Sequence, residues 1–327
     1  MSDRSLFIRP IVLPVVRSIL RRMQTDALHV GTFSRAWRIL IMIPVMGVLV
    51  LLTRLRLLIL RRPLQVQGTT FFGDRFRCHL PDLIQMYIHL FGVWEPDLTA
   101  FIERRLENDR GFIDIGANIG YFTHLAAASS EGDIVAIDAS PAMHAALVNN
   151  LQANDKSDRV RAVLAAVSDH EGAINIYAGP AHNLGLTTTV EQRGFAREAT
   201  INASPLGQLL EPHEIAQARL IKVDVEGGEP AVVRGMTSMI GQLPNDVEIL
   251  IELSPHWWDD RSLTPLAVLQ PFIDAGFRVY ALDNSYWPWR YLWPRSVNPP
   301  RRVQVNTLAQ SRTRMDIVLS RLDAHEL

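Results

Sequence analysis

From Gly111 onward, short apolar runs alternate with stretches of helical spacing. Runs at 111–115, 133–138, 160–167, 219–223, 247–252 and 277–282 predict strands, and 119–129, 141–153, 230–240 and 265–275 predict the helices between them. Ser140 before Pro141 marks one helix start and Gly276 one helix end. Strand alternating with helix calls for a parallel sheet with right-handed crossovers. A last apolar run, 315–319, adds a strand. Ala173–Tyr177 follows a turn at His170-Glu171-Gly172 and reads as a hairpin-like extension, whereas 179–204 predicts no strand or helix.

Ahead of this block the pattern changes. Residues 63–70 read as a linker or lead-in strand, 71–80 as a short strand pair, and 81–106 as helical, with Leu83, Met86, Tyr87 and Leu90 on one face. Tyr87, Phe91 and Trp94 read as core. Residues 5–22 mix apolar side chains with Arg9, Arg17, Arg21 and Arg22, an interfacial helix interrupted at Pro10 and Pro14. Ile39–Leu52 is the most apolar stretch; fourteen residues rise about 21 Å as a helix, short of the roughly 30 Å hydrocarbon core of a bilayer. Extension to Leu60 gives the length but brings Arg54 and Arg56 into the span, where they must snorkel. Two readings stand, a membrane-associated helix and a helical cap on the following domain. A cleaved leader is not expected, because the apolar run starts late. The divisions expected are a basic, apolar helical region at 1–65, a helical lid or entry segment at 66–108 and an α/β domain at 109–322.

Charge sharpens that picture. The chain of 327 residues carries a formal net charge of −1. Its first 62 residues hold eleven arginines and two aspartates, so a basic front end of +9 precedes a body of about −10. That asymmetry points to an anionic membrane surface, contacted through residues 1–62, rather than to nucleic acid. Cys78, alone of its kind, rules out an internal disulfide framework and fits a reducing, cytoplasmic setting at the inner face of a membrane.

The chemistry gathers at 111–124. An apolar strand ends in Asp114, a glycine turn Gly116-Ala-Asn-Ile-Gly120 follows, and a helix begins, leaving backbone N–H groups at a parallel sheet's carboxyl edge. The next strand ends in Asp138, eighteen residues past Gly120, where a carboxylate accepts both hydroxyls of a ribose. A dinucleotide fingerprint wants G-x-G-x-x-G, yet Asn118 and Tyr121 occupy its second and third glycine positions, and the tyrosine ring obstructs a pyrophosphate. S-adenosylmethionine has a ribose, no phosphate and an ammonium group that a nearby carboxylate suits.

Asp114-Ile-Gly-Ala-Asn-Ile-Gly-Tyr-Phe-Thr123, with Leu220-Ile-Lys-Val-Asp-Val-Glu-Gly-Gly-Glu229 downstream, resembles the FkbM family of S-adenosylmethionine-dependent methyltransferases over roughly residues 105–320. The resemblance implies a class I (Rossmann-like) α/β fold: a mostly parallel seven-stranded sheet, helices on both faces and an antiparallel last strand. It also implies methylation of a hydroxyl on a sugar or polyketide. On that basis Asp114, Gly116, Asn118, Gly120 and Tyr121 form the methionine-side floor. Asp138 and Ala139 hold the ribose, and Ala166 and Val167 border the adenine. Asn183, Gly185, Thr187 and Thr188 match the family's loop loosely and are candidate substrate contacts. The family's acidic positions near 203–210 are replaced here, leaving any role for them open.

Methyl transfer to oxygen needs a proton acceptor near the hydroxyl. Asp224 and Glu226 after one strand, Glu252 at the end of the next, and His256 are the candidates, with Asp224 also bordering the donor. An alternative role for Asp224 and Glu226 is to order their own loop. Asp224, Glu226 and Glu229 raise a metal reading, but their spacing is not that of an EF-hand, no H-x-x-x-H pair occurs, and no metal is expected. Tyr286–Asn298, with Trp287, Trp289 and Trp293, is either an aromatic wall for a glycan or lipid-linked acceptor or a hydrophobic plug. Two rivals remain: N-methylation, whose Asn/Asp-Pro-Pro-Tyr signature is missing, and a non-catalytic cofactor-binding or scaffold module.

Overall fold

Side chains alternate across a strand, and in the central strands both faces are apolar, which demands a covering layer on each side. The computed structural model, which describes residues 32–292 and 297–327, supplies both layers. Five strands run parallel: β3 (Gly111–Ile115), β4 (Ile134–Asp138), β5 (Val160–Leu164), β9 (Ala218–Val223) and β10 (Glu248–Leu253). β11 (Arg278–Ala281), β12 (Arg301–Arg302) and β13 (Met315–Ser320) complete an eight-stranded sheet in the order β12-β11-β13-β10-β9-β3-β4-β5, with β13 antiparallel to both of its neighbours. Seven strands were expected; the eighth is the two-residue edge β12.

Before the sheet stand β1 (Leu64–Thr69) and β2 (Arg75–Leu80), an antiparallel pair, preceded by α1 (Thr32–Leu60). The helical stretch 81–106 divides into α2 (Leu83–Phe91) and α3 (Pro96–Arg105). Gly92 in the left-handed region caps the first, and Pro96 opens the second. α4 (Tyr121–Ser129) and α5 (Pro141–Ala153) lie on the same face of the sheet as this lid. The other face is covered by α6 (Glu229–Met236) and α7 (Pro265–Asp274).

Parity along the strands decides which residues face which layer. Phe112, Leu220 and Leu250 join the core under the lid, whereas Ile113, Ile115, Ile221 and Ile251 join the opposite core. Asp114, Lys222 and Leu250 are register partners across β3, β9 and β10, so Asp114 and Lys222 also face the lid.

Two expectations change. The predicted strand 160–167 is two: β5, then β6 (Ala166–Val167), which leaves the large sheet and pairs with β8 (Ala196–Ser204). β8 and β7 (Gly172–Ala178) pair antiparallel, so 179–204 does contain a strand. Its sequence hid it because the strand is largely exposed and shows no apolar alternation.

α1 carries Met42 and Met46 into the core but leaves Leu40, Ile43, Val48, Leu51, Leu52, Leu55, Leu58, Ile59 and Leu60 exposed. The interfacial helix expected at 5–22 lies outside the described residues, as does Trp293. Trp287 and Trp289 are exposed, the second on α8 (Pro288–Leu292), a short helix packed against α1. Among the described residues of this stretch, Tyr286 lines the cavity, Tyr291 and Leu292 pack into the core as a plug would, and only Trp287 and Trp289 are exposed aromatics.

α8 is tied to the lid by a buried two-pronged ion pair, Arg290 Nε and Nη2 each 2.7 Å from the Asp97 carboxylate. Removing one partner strands a buried charge, so Asp97→Ala is expected to lower stability by roughly 3–5 kcal/mol in chemical denaturation. An unchanged midpoint would show the pair to be dispensable.

Candidate active site

β3 passes the chain into a loop in which Gly116, Asn118 and Gly120 all take positive φ, 78°, 53° and 91°. Glycine tolerates that region at no steric cost and asparagine at little. A Cβ on Gly116 would fall 1.8 Å from the carbonyl oxygen of Asp224, and one on Gly120 2.4 Å from Leu147 Cδ1. The first glycine therefore seats this loop against the Asp224 turn, and the last lets α4 dock on α5. Asp224 N–H donates to the Ile115 carbonyl at 3.0 Å, tying the two loops together.

Asp138 is a second tie. Its Oδ2 accepts the Asn118 N–H at 2.7 Å and its Oδ1 the Ser140 N–H at 2.8 Å. Burial pushes its carboxyl up to about 6, against the pull of those two N–H groups.

A cavity of about 290 Å³ opens between these loops and the lid. Gly116, Asn118, Tyr121, Asp138 and Ala139 line one side, Ala166 and Val167 the next, and Asn183, Thr187 and Thr188 the loop opposite. Asp224, Glu226, Glu252 and His256 line the polar end, beside Trp257, Tyr286 and Arg314. The loop at 183–188 is fixed to the lid by the Leu184 N–H, which donates to Asp82 at 2.7 Å. Both threonine hydroxyls are engaged, Thr187 with the Leu184 carbonyl and Thr188 with that of Glu226.

Two predicted residues stand elsewhere. Gly120 lies behind the loop, where α4 meets α5. Asp114, expected to meet an ammonium group, is not in the wall: strand parity turns it under α4, fully buried. There Oδ2 accepts the Thr123 hydroxyl at 2.7 Å, while Lys222 Nζ lies 3.8 Å from Oδ1. His124 is likewise interior, bonded to Asp74 at 2.6 Å. Glu229, considered as a metal ligand, turns inward; it accepts the Gly227 N–H at 2.8 Å and the Trp258 indole N–H at 2.6 Å, and burial pushes it up to about 7.

Sequence reading missed three wall residues, Lys222, Glu95 and Arg314, whereas Tyr286 opens the stretch read as a candidate aromatic wall. Lys222 had a signal, a cation in a strand, Ala218–Val223, whose every residue is buried. Burial alone would drive it neutral, but Asp224, Asp114 and Glu95 outweigh that and hold its pKa above the ordinary lysine value. Nζ bonds Asp224 at 3.0 Å and sits 5.0 Å above the Phe122 ring. The other two come from distant parts of the chain with no local motif.

The polar end is crowded with acids. Burial, then Asp224, raises the Glu226 carboxyl, although Arg193 at 3.2 Å opposes it. Burial, Asp224 and Asp316 raise Glu252 well above the usual carboxylate range, and it accepts the Tyr286 hydroxyl. Both therefore hold protons readily near neutrality. His256 moves the other way: burial, then Arg193, Arg261 and Arg314, lowers its pKa, and its ring makes no hydrogen bond among the described residues.

Comparison with known proteins agrees with this arrangement. The family profile for the methyltransferase FkbM domain matches residues 114–279. The hexuronic acid methyltransferase AglP of Haloferax volcanii is 29% identical over 150 residues, covering 45% of this chain and 58% of that protein's length. Methyltransferase sdnD of Sordaria araneosa is 23% identical over 206 residues, 54% of this chain and 76% of the relative. Among solved structures, precorrin-6y C5,15-methyltransferase of Geobacter metallireducens aligns with a TM-score of 0.37 at 12% identity, covering 69% of this chain and 89% of that one. Sp1610 of Streptococcus pneumoniae, in complex with S-adenosyl-L-methionine, aligns at 0.38 and 10% identity, covering 71% and 76%.

Proposed function

The chain belongs to the FkbM family of S-adenosylmethionine-dependent methyltransferases, and from that premise we propose that it methylates a hydroxyl group of a glycan, glycolipid or similar polyhydroxylated metabolite. The residues present fit the cofactor. Each Asp138 oxygen accepts one N–H and keeps a lone pair free, capacity for two ribose hydroxyls. Ala166, Val167 and Met143 offer a purine an apolar flank. When bound, S-adenosylmethionine supplies a methyl group activated by a sulfonium.

The observation that carries the acceptor reading is the wall at the polar end, where Asp224, Glu226 and Glu252 face the rings of Trp257 and Tyr286. Carboxyl groups take the hydrogen bonds of clustered hydroxyls, and flat rings cover the apolar face of a sugar. AglP, named for a hexuronic acid, supports the same acceptor class. Proton removal falls to His256. Glu226 and Glu252 are held towards their protonated forms and Asp224 is bound to Lys222, whereas His256 is neutral and unengaged.

α1 supports a membrane-proximal acceptor. Its segment Ile39–Leu60 is 22 residues long, about 33 Å as a helix, and largely unburied. Trp287 and Trp289 stand exposed beside it, as aromatic anchors do at a bilayer surface. Arg54 and Arg56 are exposed on the same helix. The full chain is therefore expected in the membrane fraction of disrupted cells, and the chain lacking residues 1–62 in the supernatant. Equal partition of the two forms would refute the anchoring.

For the donor, only ionised Asp138 offers ribose a charged acceptor. Isothermal titration should find affinity constant above about pH 7 and falling below pH 6, by up to about tenfold per unit. Asp138→Ala should weaken binding by about 1–3 kcal/mol at pH 7.5. A flat pH profile with an unaffected variant contradicts the ribose assignment.

For the acceptor, transfer of labelled methyl to uronic-acid and neutral glycans, with the product's linkage read by mass spectrometry, tests the reaction itself. His256→Gln should lower kcat on the order of 10²–10⁴-fold with KM little changed. Because the lowered imidazole pKa must be exceeded for the base to be neutral, the acidic limb of kcat should lie below pH 6.5. Label on nitrogen, or a fully active variant, refutes this reading.

A further inference from the structure

The three carboxylates of the polar end converge more closely than hydroxyl binding alone requires. One oxygen each from Asp224, Glu226 and Glu252 lies within 4.8 Å of the others. Donors to a single ion can stand apart by up to twice the metal–oxygen distance, about 4.8 Å for calcium and about 4.2 Å for magnesium. Three oxygens inside that bound are close enough to share one hard divalent cation.

Acid clusters of this kind are common without an ion, so the triad decides nothing alone. Glu95 adds an independent observation. It is 3% exposed, sits between α2 and α3 in a left-handed backbone at φ 43°, and lines the same cavity as Asp224 and Glu252. Its backbone N–H is placed by the Tyr291 hydroxyl at 3.1 Å. Yet its carboxyl group makes no hydrogen bond and no ion pair among the described residues. Burial pushes this carboxyl up to about 8, and a cation in the space it faces would offset that cost of ionising it.

Charge points the same way. Among the described residues, Glu95, Asp114, Asp224, Glu226, Glu252 and Asp316 interact with the cations Lys222, Arg193 and Arg314. We propose that Asp224, Glu226 and Glu252 bind one hard divalent cation, with Glu95 facing its outer shell. All-oxygen donors select magnesium, manganese or calcium over zinc or copper. The ion's use, to hold an acceptor oxygen in line with the donor, rests on the acceptor reading above; its presence does not.

The test uses the full-length chain, stripped with chelator and dialysed. Manganese alone is titrated while free Mn²⁺ is followed by electron paramagnetic resonance, and S-adenosylmethionine binding is measured in parallel with chelator present. One saturable manganese site per chain is expected, displaced by magnesium or calcium. Glu252→Gln and Asp224→Asn should each weaken it at least tenfold, and Glu95→Gln by a smaller factor, with circular dichroism reporting the fold of each variant. Should the triad variants not fold, Glu95→Gln and the wild-type titration still decide. No saturable site in wild type, with S-adenosylmethionine still bound, overturns the metal site alone and returns the carboxyl groups to donor and acceptor. Manganese binding indifferent to every folded variant also overturns it. A chain that binds manganese but no S-adenosylmethionine supports the ion and refutes the donor reading instead.

Discussion

A methyl group in place of one Gly116 hydrogen would lie 1.8 Å from the Asp224 carbonyl oxygen, about half a normal contact distance. That approach joins two loops that are more than a hundred residues apart in sequence, at the carboxyl edge of β3 and β9. With the hydrogen bond from Asp224 N–H to the Ile115 carbonyl, it fixes the gap between the donor edge and the acidic wall. Everything that follows in the cavity depends on that gap. Asn118 is placed by the same loop and in turn is held by Asp138, so the Asp138 end of the cavity and its polar end share one backbone scaffold. In-line transfer tolerates little error in the distance between reacting atoms, which is the physical reason to build both ends on abutting main chain rather than on side chains.

The acids around this scaffold are not interchangeable, because strand parity and neighbours divide them. Asp114 is spent below the surface, bonding Thr123 and steadying Lys222. Lys222 in turn holds Asp224. Asp316, the register partner of Glu252 on β13, lies beside it and is bound by Arg314 at 2.6 Å. The site is a layered charge lattice, in which buried pairs orient the carboxyl groups that reach the cavity. Burial raises the affinity of Glu226 and Glu252 for protons, and a cation in their midst would compete with those protons for the same oxygens.

Much of this was legible in the chain, because the informative features were local. β3, with its glycine loop, and the Asp138 strand follow from short apolar runs ending in an acid, and α5 from Ser140-Pro141. The misplacement of Asp114 arose where a one-dimensional reading is weakest. Proximity to the loop suggested a ligand, whereas parity with Phe112 assigns it to the lid face. β8 was hidden because its exposed residues carry no apolar period. Glu95 and Arg314 were invisible for a different reason: they, like Tyr286, are brought to the wall by tertiary contact. Tyr286 stacks on Trp94 at 5.4 Å and lies 3.7 Å from the Arg314 guanidinium, contacts that no spacing rule encodes.

Those three residues also link the cavity to the outer surface of the molecule. Tyr286 is in the cavity wall, and the chain immediately after it exposes Trp287 and Trp289 before α8 packs on α1. The Asp97–Arg290 pair clamps α8 to α3, and the Tyr291 hydroxyl fixes the backbone of Glu95 at the start of that helix. A force on the exposed tryptophans or on α1 is thereby transmitted through buried, directional contacts to the residues facing the acceptor. Packed interiors transmit such displacements rather than absorbing them. The apolar helix α1 and the acidic interior are therefore joined through one continuous set of buried contacts.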